Sequence, residues 1–174
     1  RQMCIRDSLG SGRTAVDIAT GVGFTCALLD TGAVKCWGNN DNGQLGIGNT
    51  TQMGDHTGEM GDNLSTVDLG TGRTAVAVAA GYHHACAILD NGSVKCWGLN
   101  SHGQLGHSST DRAGNDSSNM VEALPFTPLA QGRTAVHIDA GFAHTCVVFD
   151  NGSVKCWGSN NKGQLGLGTS SNMG

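Results

Sequence analysis

Six of the seven cysteines fall into three pairs of identical spacing: Cys26 with Cys36, Cys86 with Cys96, and Cys146 with Cys156. Thiols placed this way can cross-link, stay reduced in a core, or hold a soft metal. Between the members of each pair lies an Asp-x-Gly stretch, Asp30-Thr31-Gly32, Asp90-Asn91-Gly92 or Asp150-Asn151-Gly152. This is the signature of a three-residue hairpin loop whose Gly takes the left-handed conformation. With residues 30–32 as the loop, Cys26 faces Cys36 directly, and the same register pairs Cys86 with Cys96 and Cys146 with Cys156. Such a non-hydrogen-bonded cross-strand pair has Cα atoms about 4.5 Å apart, within reach of a disulfide. The register favours three hairpin disulfides over reduced core thiols. Each would contribute roughly 2–3 kcal/mol by closing a short loop.

Other residues with chemical potential make weaker patterns. Structural zinc uses Cys-x-x-Cys knuckles converging on one point, whereas here His84 and His144 have Phe24 as their counterpart in the first copy. The two histidines read as packed, hydrogen-bonded structural groups. Gly43-Gln44-Leu45-Gly46-Ile47-Gly48 is glycine-rich, yet it lacks the Gly-Lys-Ser/Thr that opens a helix in a phosphate loop. Its recurrence makes it a turn, with Gln44, Gln104 and Gln164 bonding loop backbone. Asp17, His137 and Asp139 lie in or beside strands, and nothing in the sequence joins them into a triad. The acidic loop at 54–63, with its counterpart from Gly114, could hold Ca²⁺ but has neither EF-hand nor nonapeptide spacing; a solvated loop is the expectation. Sequons begin at Asn49, Asn63, Asn91, Asn115 and Asn151, and matter only for a secreted eukaryotic chain. The expectation is no catalytic site, no cofactor and no metal.

These residues must be positioned by a repeat. Gly-Arg-Thr-Ala-Val begins at Gly12, Gly72 and Gly132, an offset of 60, and the same offset carries the cysteines and Val-Lys-Cys-Trp-Gly. Thr74–Ala80 is short, rich in small and β-branched residues, and closed by Gly81; it reads as a buried strand. Ala85–Leu89 and Ser93–Trp97 form the hairpin around Asp90-Asn91-Gly92, and Ser65–Leu69 alternates as a fourth strand. No segment has helical period. A four-stranded antiparallel unit cannot bury both faces alone, so copies must stack, and the strand pattern favours radial propeller blades.

Composition agrees with that architecture and excludes others. The chain has 28 Gly, only 2 Pro and 14% charged residues. The longest apolar run, Ala75–Ala80, is far short of a membrane-spanning helix. Ten Lys and Arg against 14 Asp and Glu leave a net charge of −4, and the basic residues are scattered. Neither a nucleic-acid footprint nor a polybasic membrane patch is present.

The stretch from Gly81 to Gly106 reads Gly-x-x-His-x-Cys-x-x-x-Asp-x-Gly-x-Val-Lys-Cys-Trp-Gly-x-Asn-x-x-Gly-Gln-Leu-Gly. It resembles the repeat of the regulator of chromosome condensation family, and Gly21–Gly46 and Gly141–Gly166 resemble it too. The residues that carry the likeness are Trp37, Gly38, Asn40, Gly43, Gln44, Leu45 and Gly46; Trp97, Gly98, Asn100, Gly103, Gln104, Leu105 and Gly106; and Trp157, Gly158, Asn160, Gly163, Gln164, Leu165 and Gly166. The resemblance implies an all-β fold, a β-propeller of four-stranded antiparallel blades numbering seven in an intact member, of which this chain covers about three. Units are expected at 9–64, 65–124 and 125–174, as a fragment of a bacterial or metagenomic protein. Residues 1–8 depart from the repeat and read as a non-native N-terminal segment.

The expected function is non-enzymatic: a propeller that presents variable loops, Ile47–Leu64 and His107–Leu124, to a protein partner. Paired cysteines point to a secreted or cell-surface setting, and the superfamily includes a β-lactamase-inhibiting protein that acts by binding alone. The alternative that the resemblance implies is guanine-nucleotide exchange on a small GTPase in cytoplasm or nucleus. That activity resides in loops of one propeller face, so no residue of the repeat signature carries it over.

Overall fold

The computed structural model describes residues 9–120, 124–129 and 131–174. The segment 1–8 read above as non-native lies outside them, as do residues 121–123 of the second variable loop. Among the described residues, nine strands form three antiparallel sheets. The first sheet holds β1 (Ala15–Thr20), β2 (Phe24–Leu29) and β3 (Val34–Gly38); the second holds β4 (Ala75–Ala80), β5 (His84–Leu89) and β6 (Val94–Gly98); the third holds β7 (Ala135–Ala140), β8 (His144–Phe149) and β9 (Val154–Gly158). Each is a blade, numbered here 1 to 3 in chain order. Two single turns of 3₁₀ helix, Gly61–Asn63 and Ser117–Asn119, interrupt the long loops between blades.

The hairpins form where the Asp-x-Gly loops predict. The Leu29 N–H donates to the Ala33 carbonyl at 2.8 Å, the Gly32 N–H donates back to Leu29 at 2.8 Å, and Gly32 has φ 76°. That left-handed value is what requires glycine here. The resulting register sets Leu28 opposite Val34 and Cys26 opposite Cys36, and repeats in the other two blades. A bulge at Val16, and at its equivalents Val76 and Val136, shifts the register between the first two strands of every blade.

The segment Ser65–Leu69 is present as less than a strand. Thr66 makes an isolated bridge to Lys35, and the Val67 N–H donates to the Val34 carbonyl at 2.8 Å, so the segment lies on the outer edge of blade 1. The Asp68 carboxylate then accepts the Gly70 N–H at 3.0 Å and turns the chain away. In the following loop Phe126 bridges Lys95 and Thr127 donates to Val94, while the flanking Pro125 and Pro128 have no N–H to extend a ladder.

Inner strands of successive blades pack side by side, β1 against β4 and β4 against β7. The core therefore lies between blades. Leu28, Val34, Leu45, Ile88, Val94 and Leu105 fill it, together with the buried faces of Trp97 and Trp157. The inner strand expected to be buried is only half so: Val78 is 8% exposed but Val76 is 58% exposed. Val76 is the residue that the bulge leaves unpaired, so its side chain stays exposed while Val78, two positions on, packs into the core.

Candidate interaction surface

The cysteine sulfurs of each pair are bonded in the structure, with Cα atoms 4.0 to 4.1 Å apart. They hold the second and third strands of each blade together at positions that are fully buried in blades 1 and 2. Local geometry supplies this, because each partner lies only ten residues from its mate.

Contacts over longer range join the blades. The Trp97 indole N–H donates to the Gln44 carbonyl at 3.0 Å, and that of Trp157 donates to the Gln104 carbonyl at 2.9 Å. Each tryptophan thus seats on the Gly-Gln-Leu-Gly turn of the preceding blade. The last glycine of that turn is demanded twice, since Gly46 has φ +65° and a Cβ there would lie 2.8 Å from the Trp97 Nε1. Asn40, fully buried, accepts the Leu45 N–H at 3.0 Å and donates to the carbonyls of Asn49 and Thr51 at 2.9 Å. Asn100 and Asn160 repeat the bond to the turn. Gln44, Gln104 and Gln164 accept through Oε1 from the backbone N–H two residues earlier. The hairpin turn also reaches the next blade, because the Gly32 carbonyl accepts the Ala75 N–H and the Gly92 carbonyl accepts the Ala135 N–H, both at 2.8 Å.

At the same interface His84, which is 0% exposed, places Nε2 3.0 Å from the Thr145 hydroxyl. The hydroxyl donates its one proton to the Gln104 carbonyl at 3.0 Å, so His84 must donate from Nε2. Nδ1 is then the bare nitrogen, and it is buried without a partner. Burial, with a lesser contribution from His144, lowers the His84 pKa to about 4. His107, which stands where the other copies have Ile47 and Leu167, is likewise lowered to about 4 by burial.

Around one mouth of the axial space, the residue after each blade's Gly21, Gly81 or Gly141 is large and apolar: Val22, Tyr82 and Phe142. Their backbones are chained across blades, Val22 N–H to the Tyr82 carbonyl at 3.2 Å and Tyr82 N–H to the Phe142 carbonyl at 3.1 Å. The Tyr82 and Phe142 rings stack with centroids 4.1 Å apart and planes 25° apart. Val22 is 51% and Phe142 68% exposed, and with Thr20 and Ala80 the three residues line an open concavity of about 360 Å³. The opposite face carries one exposed ion pair per blade, Arg13–Asp30, Arg73–Asp90 and Arg133–Asp150, at 3.9, 3.2 and 3.7 Å.

The residues weighed for catalysis do not converge. Asp17 and Asp139 each accept the next residue's backbone N–H, at 2.8 and 2.9 Å, on different blades. In the acidic loop, Asp55, His56 and Glu59 bring ligand atoms within 4.8 Å of one another. Glu59 has a structural task there: its Oε2 accepts the N–H groups of Gly54 and His56 at 2.8 and 3.1 Å, as Asn119 does for Gly114 and Asp116 in the next loop. His56 is raised and Asp55 lowered in pKa, chiefly by the hydrogen bond between them.

Comparison with known proteins places this geometry. Models of the regulator of chromosome condensation (RCC1) repeat match residues 15–44, 75–104 and 135–164, and a longer form of the repeat matches 91–148. The chain belongs to the RCC1 repeat family. It is 34% identical over 161 residues to the human E3 ubiquitin-protein ligase HERC2, covering 91% of this chain but 3% of that protein. Among solved structures it is similar to Prp20p of Saccharomyces cerevisiae (22% identity, TM-score 0.68, 91% of this chain and 36% of that one), described with its binding properties to Gsp1p and histones. It is similar also to human WBSCR16 (23% identity, TM-score 0.69, 95% of this chain and 41% of that one). The chain thus spans well under half the length of these relatives and forms about three blades of an RCC1 β-propeller.

Sequence reasoning missed two features of these RCC1 blades. The Trp–Gln and His–Thr bonds join residues 53 and 61 positions apart, and no local pattern reports a contact at that distance. The apolar mouth had a readable signal: the position after each Gly21-type glycine is large and mostly apolar in every copy, Val22, Tyr82 and Phe142, although the next position changes from Gly23 to His83 to Ala143.

Proposed function

We propose that this RCC1 propeller is a non-enzymatic binding module that docks a protein partner on the face bearing Val22, Tyr82 and Phe142, with the variable loops that begin at Ile47 and His107 contributing to recognition. One observation carries the reading: an exposed Phe142 ring stacked on the half-buried Tyr82, with an exposed Val22 beside them, stands on a backbone locked blade to blade, which is the kind of rigid apolar centre that protein interfaces use. Prp20p, whose structure is described with its binding to Gsp1p and histones, is a precedent for protein binding by this fold. The hairpin disulfides support an extracytoplasmic setting. The ligase activity in the name of HERC2 belongs to a protein of which this chain matches 3%, and is not assigned to these blades. Guanine-nucleotide exchange on a small GTPase is the second reading, which the family membership favours.

Two measurements test this. Intact mass after alkylation, with and without reduction, on protein from its native compartment should show six cysteines protected until reduced; ready alkylation of all six would remove the extracytoplasmic reading. Release of fluorescent GDP from a panel of small GTPases should be unaffected by the chain, and acceleration would replace the first reading with the second.

A further inference from the structure

We propose that the hairpin turns of blades 2 and 3 are sites of spontaneous covalent modification, Asn91 and Asn151 deamidating through a cyclic imide formed with the backbone nitrogens of Gly92 and Gly152. This inference goes beyond the partner-binding reading and does not rest on it.

Both asparagines stand exposed at the tip of a hairpin, and each is followed by glycine. Glycine lacks the Cβ that would crowd an approach to its nitrogen. In both turns the asparagine amide oxygen accepts two bonds from the serine two residues on. Asn91 Oδ1 accepts the Ser93 N–H at 3.1 Å and the Ser93 hydroxyl at 2.6 Å, and Asn151 Oδ1 accepts the Ser153 N–H at 3.1 Å and the Ser153 hydroxyl at 2.7 Å. These bonds draw electron density from the amide carbon and hold the side chain back along its own backbone.

Hydroxide takes the proton of the Gly92 amide, and the nitrogen attacks Cγ of Asn91 to form the N–Cγ bond. Negative charge collects on Oδ1, where the two Ser93 donors already point. Collapse breaks the Cγ–Nδ2 bond, and ammonia leaves with a proton from water. Water then opens the five-membered imide at one of its two carbonyls, leaving aspartate or isoaspartate. The sum is amide plus water to carboxylate plus ammonium, with nothing oxidised or reduced. The Gly92 N–H also donates to the Leu89 carbonyl at 2.8 Å, and breaking that bond first makes the folded turn slower than a free chain.

The third Asn-Gly pair of the chain, Asn42-Gly43, marks what the fold adds. Asn42 is half-buried and Gly43 buried, and the residue two along is Gln44, whose side chain accepts the Asn42 backbone N–H at 2.9 Å. Blade 1 has Thr31 at the place of Asn91, so its hairpin turn does not react. Unequal ageing of the two blade interfaces follows. The Gly92 carbonyl accepts the Ala135 N–H of blade 3 at 2.8 Å, and a Cβ on Gly92 would lie 2.3 Å from the Thr134 Cβ. An isoaspartate adds a methylene to the main chain just before Gly92 and displaces this joint, whereas the matching joint at Gly32 is spared.

Peptide mapping by mass spectrometry tests this on the whole chain, aged in mildly alkaline buffer both folded and in guanidinium chloride with reductant. In the denatured chain the three Asn-Gly pairs should convert at similar rates. In the folded chain Asn91 and Asn151 should convert roughly tenfold faster than Asn42, with isoaspartate identified at both positions by electron-transfer fragmentation. Ser93→Ala should slow conversion at Asn91 by roughly three- to tenfold, the worth of one hydrogen bond, leave Asn151 unchanged, and be rescued by Ser93→Thr. Aged wild type should melt below fresh protein, and Asn91→Thr, which copies Thr31, should remove most of that loss. A folded chain unchanged at Asn91 through many half-lives of the denatured one, Asn42 converting as fast as Asn91, or Ser93→Ala converting as fast as wild type overturns the proposal. Circular dichroism establishes that each variant is folded; if Ser93→Ala is not, Ser153→Ala read at Asn151 replaces it.

Discussion

Acidification should loosen the interface between blades 2 and 3, and His84 sets the size of the effect. Its pKa of about 4 in the folded chain lies below the ordinary 6.5, so the unfolded chain binds the extra proton first. Stability from this group is fully present above pH 6.5 and is lost progressively as the pH falls from 6.5 to 4. At about 1.4 kcal/mol per pH unit, the whole window corresponds to roughly 3 kcal/mol. The group is fully buried, so solvent does not screen this penalty. The structural cause is specific: protonation adds an N–H at Nδ1, which has no acceptor within reach. The double variant His84→Phe with Thr145→Ala copies the Phe24 and Ala85 of the first interface and removes the titrating group, while Trp157 still satisfies the Gln104 carbonyl. Urea unfolding followed by tryptophan fluorescence, repeated between pH 7.5 and pH 4, reads the outcome. The variant should lose about 3 kcal/mol of the wild type's pH dependence in that window. An unchanged slope would refute the reasoning, since the buried histidine would then not be the group that titrates.

Gly46→Ala should destabilise by about 2 kcal/mol or more, adding displacement of the Trp97 indole to the cost of a left-handed alanine, whereas Gly166→Ala, with φ +70° and nothing within 4 Å, should cost only about 1 kcal/mol; thermal melts of the two compare them directly. Removing one hairpin cross-link with Cys86→Ala and Cys96→Ala should lower stability by roughly 2–3 kcal/mol and make the melt of that variant less sensitive to reductant. Trp157→Phe removes one of two donors to the Gln104 carbonyl and should cost about 1 kcal/mol for the bond, with a further loss for unfilled volume, seen as a lower urea midpoint. Phe142→Asp, on a side chain 68% exposed, should leave the melt within about 0.5 kcal/mol of wild type while abolishing partner binding at the channel mouth.

The hairpins were legible because everything that determines them lies within about ten residues. The Asp-x-Gly loop fixes its own backbone, the loop fixes the register, and the register brings Cys26 to Cys36 whatever the rest of the chain does. Ser65–Leu69 was only partly legible: its alternation correctly marks Val67 and Leu69 as buried, but whether a segment pairs along its length depends on what it meets. Here it meets the edge of the preceding blade at Lys35 and is turned off by Asp68. Repetition at 60 residues, read from sequence alone, required blades to stack, because a lone antiparallel sheet leaves an apolar face in water. Only the tertiary structure decided that the tryptophan of one repeat closes on the glycine turn of the one before, and that His84 finds Thr145. Those bonds are made between chain segments that are neighbours only after stacking, so their chemistry is written in two repeats at once and can be read in neither alone.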